Sequence, residues 1–437
     1  MFRTTRKKTL LWFIGIPVLT GILAIALYQI PFIHEKLSWR IDELQTRIKY
    51  AINPPEEAIF VPEQQQQLAT IVQQTLSALT PEVTDAPETP TPEPATPTPT
   101  LQPLPQSVFL EGVQYEDQHN RWNYCGPSNL SMALNFWGWD GDRDVVGAYV
   151  KPSDKDKNVL PSEMEDFVRT QTFLNMIIRQ GGDIQVLKQL ISAGFPVLVE
   201  KGYYEVDYTG NLGWLGHYQF VTGYDDTINS FLVQDTYIKD GKDHLTTYDE
   251  FLDGWISFNY IFLVVYPAEQ EEALFEALGP WLDSAWAAQH ALETAVSQTQ
   301  TETELDEFFA WFNLGTSHVA LQQYVDAAYA YDQAFAIYAS LTLDDVSRPY
   351  RIMWYQTGPF WAYYYSGRFG DVINLANTTL LETISEPVLE ECFYWRGLAY
   401  EGLGDIDQAI HDWRVALELH PDWDPARIQL ERVGAYP

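Results

Sequence analysis

Between positions 81 and 105 the chain reads PEVTDAPETPTPEPATPTPTLQPLP, with nine prolines among 25 residues. A proline ring has no N–H to donate and clashes with the turn before it, so neither a helix nor a central strand can run through this stretch. It predicts a semi-extended linker, which at about 3.1 Å per residue reaches as far as ~80 Å. The 437-residue chain is thereby divided into a short membrane-proximal part and a long globular part.

Before the linker, Arg3, Arg6, Lys7 and Lys8 precede LLWFIGIPVLTGILAIALYQI, in which residues 10–30 include no charged side chain. Twenty or so apolar residues suffice to cross a hydrocarbon core as a helix. Basic residues ahead of such a segment favour a cytoplasmic N-terminus and export of the chain beyond it. The alternative is a cleaved signal peptide, with Ala24-Ile25-Ala26 at the cleavage site. The apolar run continues to Phe32 and is long for a signal core, so it reads as an uncleaved transmembrane anchor over 10–32 after a cytoplasmic basic tail over 1–9. Either reading puts the rest outside the cytoplasm. Leu37, Ile41, Leu44 and Ile48 recur at helical intervals, so 33–80 reads as a juxtamembrane helical stalk, either self-associating or a solvated spacer.

Over the whole chain, hydrophobic residues at 46% and aromatic residues at 14% supply ample core for the part beyond the linker. The formal net charge of −34 argues against nucleic acid or anionic lipid as a partner of the folded part. Residues 106–268 read as α+β. A helix is predicted over about 128–137, and GGDIQVLKQLISAGFPVLVEKGYY gives a helix, a break at Gly194 and a strand from Pro196. GHYQFVTGYDD, NSFLVQDTYI and YIFLVVYP come next as short β-type runs separated by turns. Residues 269–437 change to helix-forming, aromatic-rich sequence. Trp311, Leu314, Gly315, Ala327, Tyr331 and Ala334 in one segment, and Phe393, Gly397, Tyr400, Ala409, Trp413, Ala416 and Pro421 in another, resemble the tetratricopeptide pattern. A degenerate middle copy surrounds Gly367 and Phe369. This resemblance implies an all-α repeat domain whose inner face takes a protein partner.

Only two cysteines occur, Cys125 and Cys392, so at most one disulfide could form. Cys125 lies in NYCGPSNLSMALNFWG, where Gly126-Pro127 opens an apolar helix. A helix N-terminus and a nearby histidine both favour a thiolate. Of eight histidines, His217 is the best placed, at the start of HYQFVTGY after a glycine-containing loop. Asp235 closes the next strand, and two antiparallel strands joined by a short turn would set Asp235 beside His217, orienting the imidazole. Gln118 and the Cys125 N–H could donate to a developing oxyanion. Singly, each residue has an ordinary reading: Cys125 as a small buried hydrophobe, His217 as structural, Asp235 as a turn cap, and His119, Asn120 or Asn123 could stand in the place of Gln118. No Cys/His pair has zinc-ligand spacing, so neither metal nor cofactor is expected.

DQHNRWNYCGPSNLSMAL, LKQLISAGFPVLV, GHYQFVTGYDD and FLVQDTY, in this order over roughly 110–266, together resemble the C39-like group of papain-type cysteine peptidases. The resemblance implies a papain-like fold with Cys125 as nucleophile, His217 as base, Asp235 as its orienter and Gln118 as oxyanion donor. No transporter domain accompanies the segment, and the insert YYEVDYTGNLGWL precedes His217. The expectation is an extracytoplasmic, membrane-anchored cysteine peptidase acting on a peptide or protein substrate. The alternatives are an inactive peptide-binding scaffold and an acyltransferase on the same fold.

Overall fold

The computed structural model describes residues 103–437 apart from 122, 152, 154–155, 157, 207–211, 301–302, 342–347, 350, 382–388 and 437, together with 28–30, 41, 44–45, 48 and 59–62. The expected tail, nearly all of the anchor and stalk, and the linker up to 102 lie outside the described residues. Among the described residues no helix is long and apolar enough to cross a membrane. Of the stalk positions, Ile41, Leu44 and Ile48 are helical and exposed.

An antiparallel sheet organises residues 107–267. Its strands are β1 (Ser107–Phe109), β2 (Leu174–Arg179), β3 (Val197–Val206), β4 (Leu212–Asp225), β5 (Ser230–Gln234), β6 (His244–Thr247) and β7 (Phe262–Pro267). The order is β2-β7-β3-β4-β5-β6, with β1 also pairing β4. Successive strand residues face opposite sides. Leu198, Leu263 and Val265 therefore enter one core, while Val197, Val199, Phe262 and Val264 enter the other. Burial on both faces explains why these strands read as unbroken apolar runs rather than alternating ones.

On the first face lie α1 (Cys125–Phe136), α2 (Arg143–Val150) and α3 (Pro161–Gln171), contributing Leu130, Val146, Met164 and Phe167. On the second lie α4 (Ile184–Ser192) and α5 (Tyr248–Trp255). Helix α4 shows why the local sequence folds as it does. The Asp183 carboxylate caps the Val186 N–H at 2.7 Å, and Val186, Leu187, Leu190 and Ile191 form one buried stripe.

From Glu271 onward the chain is helical: α6 (Glu271–Leu278), α7 (Ser284–Gln298), α8 (Glu304–Ala320), α9 (Tyr324–Ser340), α10 (Ile352–Tyr355), α11 (Gly358–Tyr365), α12 (Phe369–Leu381), α13 (Glu390–Gly402), α14 (Ile406–Leu419) and α15 (Asp424–Arg432). Three hairpins, α8/α9, α11/α12 and α13/α14, turn through residues 321–323, 366–368 and 403–405. Each has a left-handed residue at its centre: Gln322 at φ 60°, Gly367 at 77° and Gly404 at 86°. Within the hairpins small residues permit close approach. A methyl group on Gly397 would lie 2.6 Å from the Trp413 Nε1, and one on Gly315 would lie 2.7 Å from the Tyr331 ring.

The helical region shares the second core with the sheet. Trp214, from the insert before His217, stacks on Phe258 at 5.9 Å and meets Phe309 and Tyr355. The insert thus serves as a platform for the helices. Asn313 and Gln356 donate to the carbonyls of Ile256 and Ser257 at 2.6 and 2.8 Å. Residues 59–62 also dock here. Phe60 is buried with its ring 4.9 Å from Phe335, whereas Tyr224 holds the Pro105 carbonyl on the sheet side at 2.7 Å. Both flanks of the proline-rich stretch are attached to the folded body, so 59–62 does not sit at the ~80 Å reach the linker allows.

Candidate active site

Helix α1 starts at Cys125 and ends at Phe136, so the cysteine lies within the first turn rather than ahead of a helix beginning near 128. Pro127 is tolerated there because the first N–H groups of a helix have no internal partner. Tyr124 provides no side-chain cap and the first turn carries no acid, which leaves the positive end of the helix directed at the thiol. The preceding backbone is set by Asn123. It is left-handed, with φ 48°, and its Nδ2 donates to the Asp156 carbonyl at 2.8 Å.

His217 comes from β4 and Asp235 directly follows β5. The register pairs Phe220 with Gln234 and Asp225 with Ser230, which brings Asp235 alongside the middle of β4, because the strand starts at Leu212 and not at His217 as the sequence suggests. His217 Nε2 lies 3.1 Å from Asp235 Oδ1, and both side chains are buried. Asp235 is held from several directions. Oδ1 accepts the N–H groups of Tyr237 and Ile238 at 2.9 and 3.2 Å, and Oδ2 accepts the Gln219 Nε2 at 2.5 Å.

The opposite side of the imidazole meets the thiol. Burial pushes the Cys125 thiol up, but the hydrogen bond and charge of His217, with the N–H groups of Tyr218 and Gly126, outweigh it and hold the thiol below its usual range. Burial would lower His217, yet the charge and hydrogen bond of Asp235, followed by those of Cys125, raise it to about 9. Asp235 is likewise opposed by burial and held below the usual carboxylate range by His217, Gln219 and the Tyr237 N–H. The arrangement therefore favours a thiolate–imidazolium pair.

Gln118 is buried and lines the same cleft. Its N–H donates to the Thr236 carbonyl at 2.9 Å, and its Oε1 accepts the Thr236 hydroxyl at 2.8 Å, leaving the Nε2 amide as the remaining donor end. Thr236 follows Asp235, so one segment orients both. Asn129, fully buried in α1, reaches the carbonyls of Cys125 and Tyr218 at 2.9 and 2.8 Å and fixes the helix against β4.

Of the four residues singled out in the sequence, Gln118, Cys125 and His217 line one cleft of about 70 Å³, and Asp235 stands behind His217 in the wall of a neighbouring cleft. Others in the wall of the Cys125 cleft carry no sequence signature: Glu200, Tyr203, Tyr218, Tyr237, Asn158, Val159 and, from the helical region, Tyr355. Burial, reinforced by the Cys125 charge, pushes the Glu200 carboxyl well above its usual range. Burial also raises the phenols of Tyr203, Tyr218 and Tyr355. Cys392 is buried in α13, and both cysteines are free thiols. The described residues able to hold a metal ion lie outside this cleft, at Glu163, Glu390 and His420.

Residues 110–261 match the Peptidase_C39 like family, and residues 390–423 match the tetratricopeptide repeat. A Bacillus anthracis structure described as a C39-like peptidase aligns at 16% identity and a TM-score of 0.30, over 37% of this chain and 98% of that one. No curated protein matches the chain.

Proposed function

We propose that this chain, which carries a C39-like peptidase domain at 110–261 and a tetratricopeptide repeat at 390–423, is a cysteine peptidase working through Cys125, His217 and Asp235. The observation that supports it best is the continuous contact from Asp235 through His217 to Cys125 on a helix N-terminus. The Cys125 thiolate attacks a peptide carbonyl, forming a C–S bond. The oxyanion receives hydrogen bonds from the Cys125 N–H and the Gln118 amide. Protonated His217 donates to the leaving amine as the C–N bond breaks, giving a thioester and neutral imidazole. His217 then takes a proton from water, the resulting hydroxide displaces the thiolate, and the acid product leaves. Asp235 holds the imidazole orientation and its charge throughout.

In the same proposal, residues 10–32 anchor the protein and leave the peptidase and repeats outside the cytoplasm. The repeats recruit a protein partner or present the substrate, a role supported by Tyr355 reaching the cleft wall. Carbonate extraction and protease accessibility in vesicles test the anchor.

A peptide-directed thiol electrophile tests the chemistry. Cys125 is expected to label much faster than Cys392, whose thiol is pushed well up by burial and by Glu391 and Glu390. Equal reactivity of the two, with no effect of His217→Ala, would overturn the peptidase reading in favour of a scaffold. Capture of the acyl group by added amines in preference to water would instead identify a transferase.

A further inference from the structure

Where the last repeat hairpin meets the peptidase domain, several acids gather beside Lys151. Glu163 lies in the first turn of α3, Glu390 and Glu391 open α13, and His420 follows α14. Asp156 and Lys151 stand beside them, and Glu390, Glu391, Asp156 and Lys151 are all buried. One ligand atom from each of Glu163, Glu390 and His420 lies within 4.8 Å of the others.

The bonding within this group is incomplete in an informative way. Glu163 spends one oxygen, Oε2, on the Leu160 N–H at 2.7 Å, which fixes the carboxylate in place. Glu390 Oε1 pairs with His420 Nδ1 at 2.7 Å. Glu390 Oε2 has no hydrogen-bond partner among the described residues, and the residue is only 1% exposed. A buried carboxylate oxygen without a partner is costly, and a cation or a proton must offset it. Lys151 is the ammonium beside the cluster, and it donates to the Asp156 carbonyl at 2.8 Å.

We propose that Glu163, Glu390 and His420 bind a divalent transition-metal cation that ties the last repeat hairpin to the peptidase domain. Two carboxylates and one imidazole suit Mn²⁺ or Zn²⁺, with water completing the shell. The Leu160 N–H on Glu163, and Trp423 stacked 5.8 Å from the His420 ring, are the outer supports such a site needs.

The cation acts on the cleft through its wall. Asn158 and Val159 line the space beside Cys125, and Asn158 Nδ2 donates to Glu391 Oε1 at 3.3 Å. Holding Glu163 and Glu390 in place holds Asn158, just before α3, against Glu391 at the start of α13. The ligands are scattered over 163, 390 and 420, so no motif of close Cys/His spacing announces them.

The test uses the full chain in detergent, stripped with a chelator and titrated with MnCl₂ or ZnCl₂ by calorimetry. One equivalent should bind, and melts with the cation should shift upward. Glu390→Gln and Glu163→Gln should each weaken binding at least tenfold. Glu163→Gln retains an oxygen for the Leu160 N–H and so preserves the helix cap. Absence of stoichiometric binding by the stripped wild-type chain would show that the cluster holds protons alone and would overturn the site. Unchanged affinity in both variants would place the metal elsewhere and overturn it equally. The readout is binding, so a chain without peptidase activity tests it as well as an active one.

Discussion

The His217 Nε2 lies 3.1 Å from Asp235 Oδ1, and neither side chain is more than 4% exposed. A buried carboxylate beside an imidazole favours the imidazolium, and His217 is raised to about 9. Below that value His217 carries the proton that the leaving amine needs; above it the proton is lost. Turnover of a peptide substrate should therefore fall as pH rises through about 9. Asp235→Asn removes the charge that raises His217, so the alkaline limb should move to lower pH and the rate should fall about 10²–10⁴-fold. A pH–rate profile of both proteins checks this; an unmoved limb would detach Asp235 from His217.

In the proposed mechanism Gln118 is the second donor to the oxyanion, and its Oε1 accepts the Thr236 hydroxyl at 2.8 Å. A donor used only in the transition state affects kcat more than KM. Gln118→Ala should lower kcat about 10²–10³-fold with little change in KM. Steady-state kinetics on one peptide decides it, and a change confined to KM would make Gln118 a ground-state contact.

Much of this cleft was legible because its residues fall in short, ordered segments. The turn between β4 and β5 is only a few residues long, so adjacency of His217 and Asp235 follows from hairpin geometry. Cys125 was legible through Gly126-Pro127, although the helix begins three residues earlier than the apolar pattern suggests, because the pattern marks the buried stripe and not the first turn. Glu200 and Tyr355 were not legible. Glu200 sits in an apolar strand and is recognisable only once Tyr218 and Cys125 stand beside it. Tyr355 arrives from 230 residues downstream of Cys125 through packing of the helices on Trp214. Long-range packing of this kind leaves no local periodicity.

Tyr355 connects the helical region to the cleft. Its ring meets Trp214 and Phe258 at 5.9 and 6.0 Å, and it shares a hydrogen bond with the Gly216 backbone. Tyr355→Phe keeps the ring and loses that bond, and should lower stability by about 0.5–1.5 kcal/mol in denaturant melts. Tyr355→Ala widens the cleft. It should speed labelling of Cys125 by a bulky peptide electrophile relative to a small one such as iodoacetamide. An unchanged ratio would mean that Tyr355 does not limit access.

At Gly397 two repeat helices pack closely, with Trp413 filling the space a side chain would need. Adding a methyl group forces the tryptophan to move. Gly397→Ala should destabilise the chain by about 1–3 kcal/mol despite alanine's better helix propensity. Urea melts followed by tryptophan fluorescence provide the measurement; a gain in stability would show that the hairpin relaxes without loss.

Phe60 makes the contact that most alters the reading of the linker. Its ring lies edge-on to Phe335 at 4.9 Å and 5.9 Å from Tyr363, and it is 5% exposed. Burying a phenylalanine contributes about 1.5–3 kcal/mol, and an edge-to-face pair adds about 0.5–1.5 kcal/mol. Phe60→Ala should therefore lower stability by about 2 kcal/mol, although the residue lies upstream of a proline-rich stretch. The pair itself is isolated by a cycle of Phe60→Ala, Phe335→Ala and the double variant, where a coupling of about 0.5–1.5 kcal/mol is expected. With that coupling, residues 63–102 span two attached ends, and the repeats hold the segment that precedes the linker. Zero coupling would return 59–62 to the membrane-proximal side and restore the linker as a spacer.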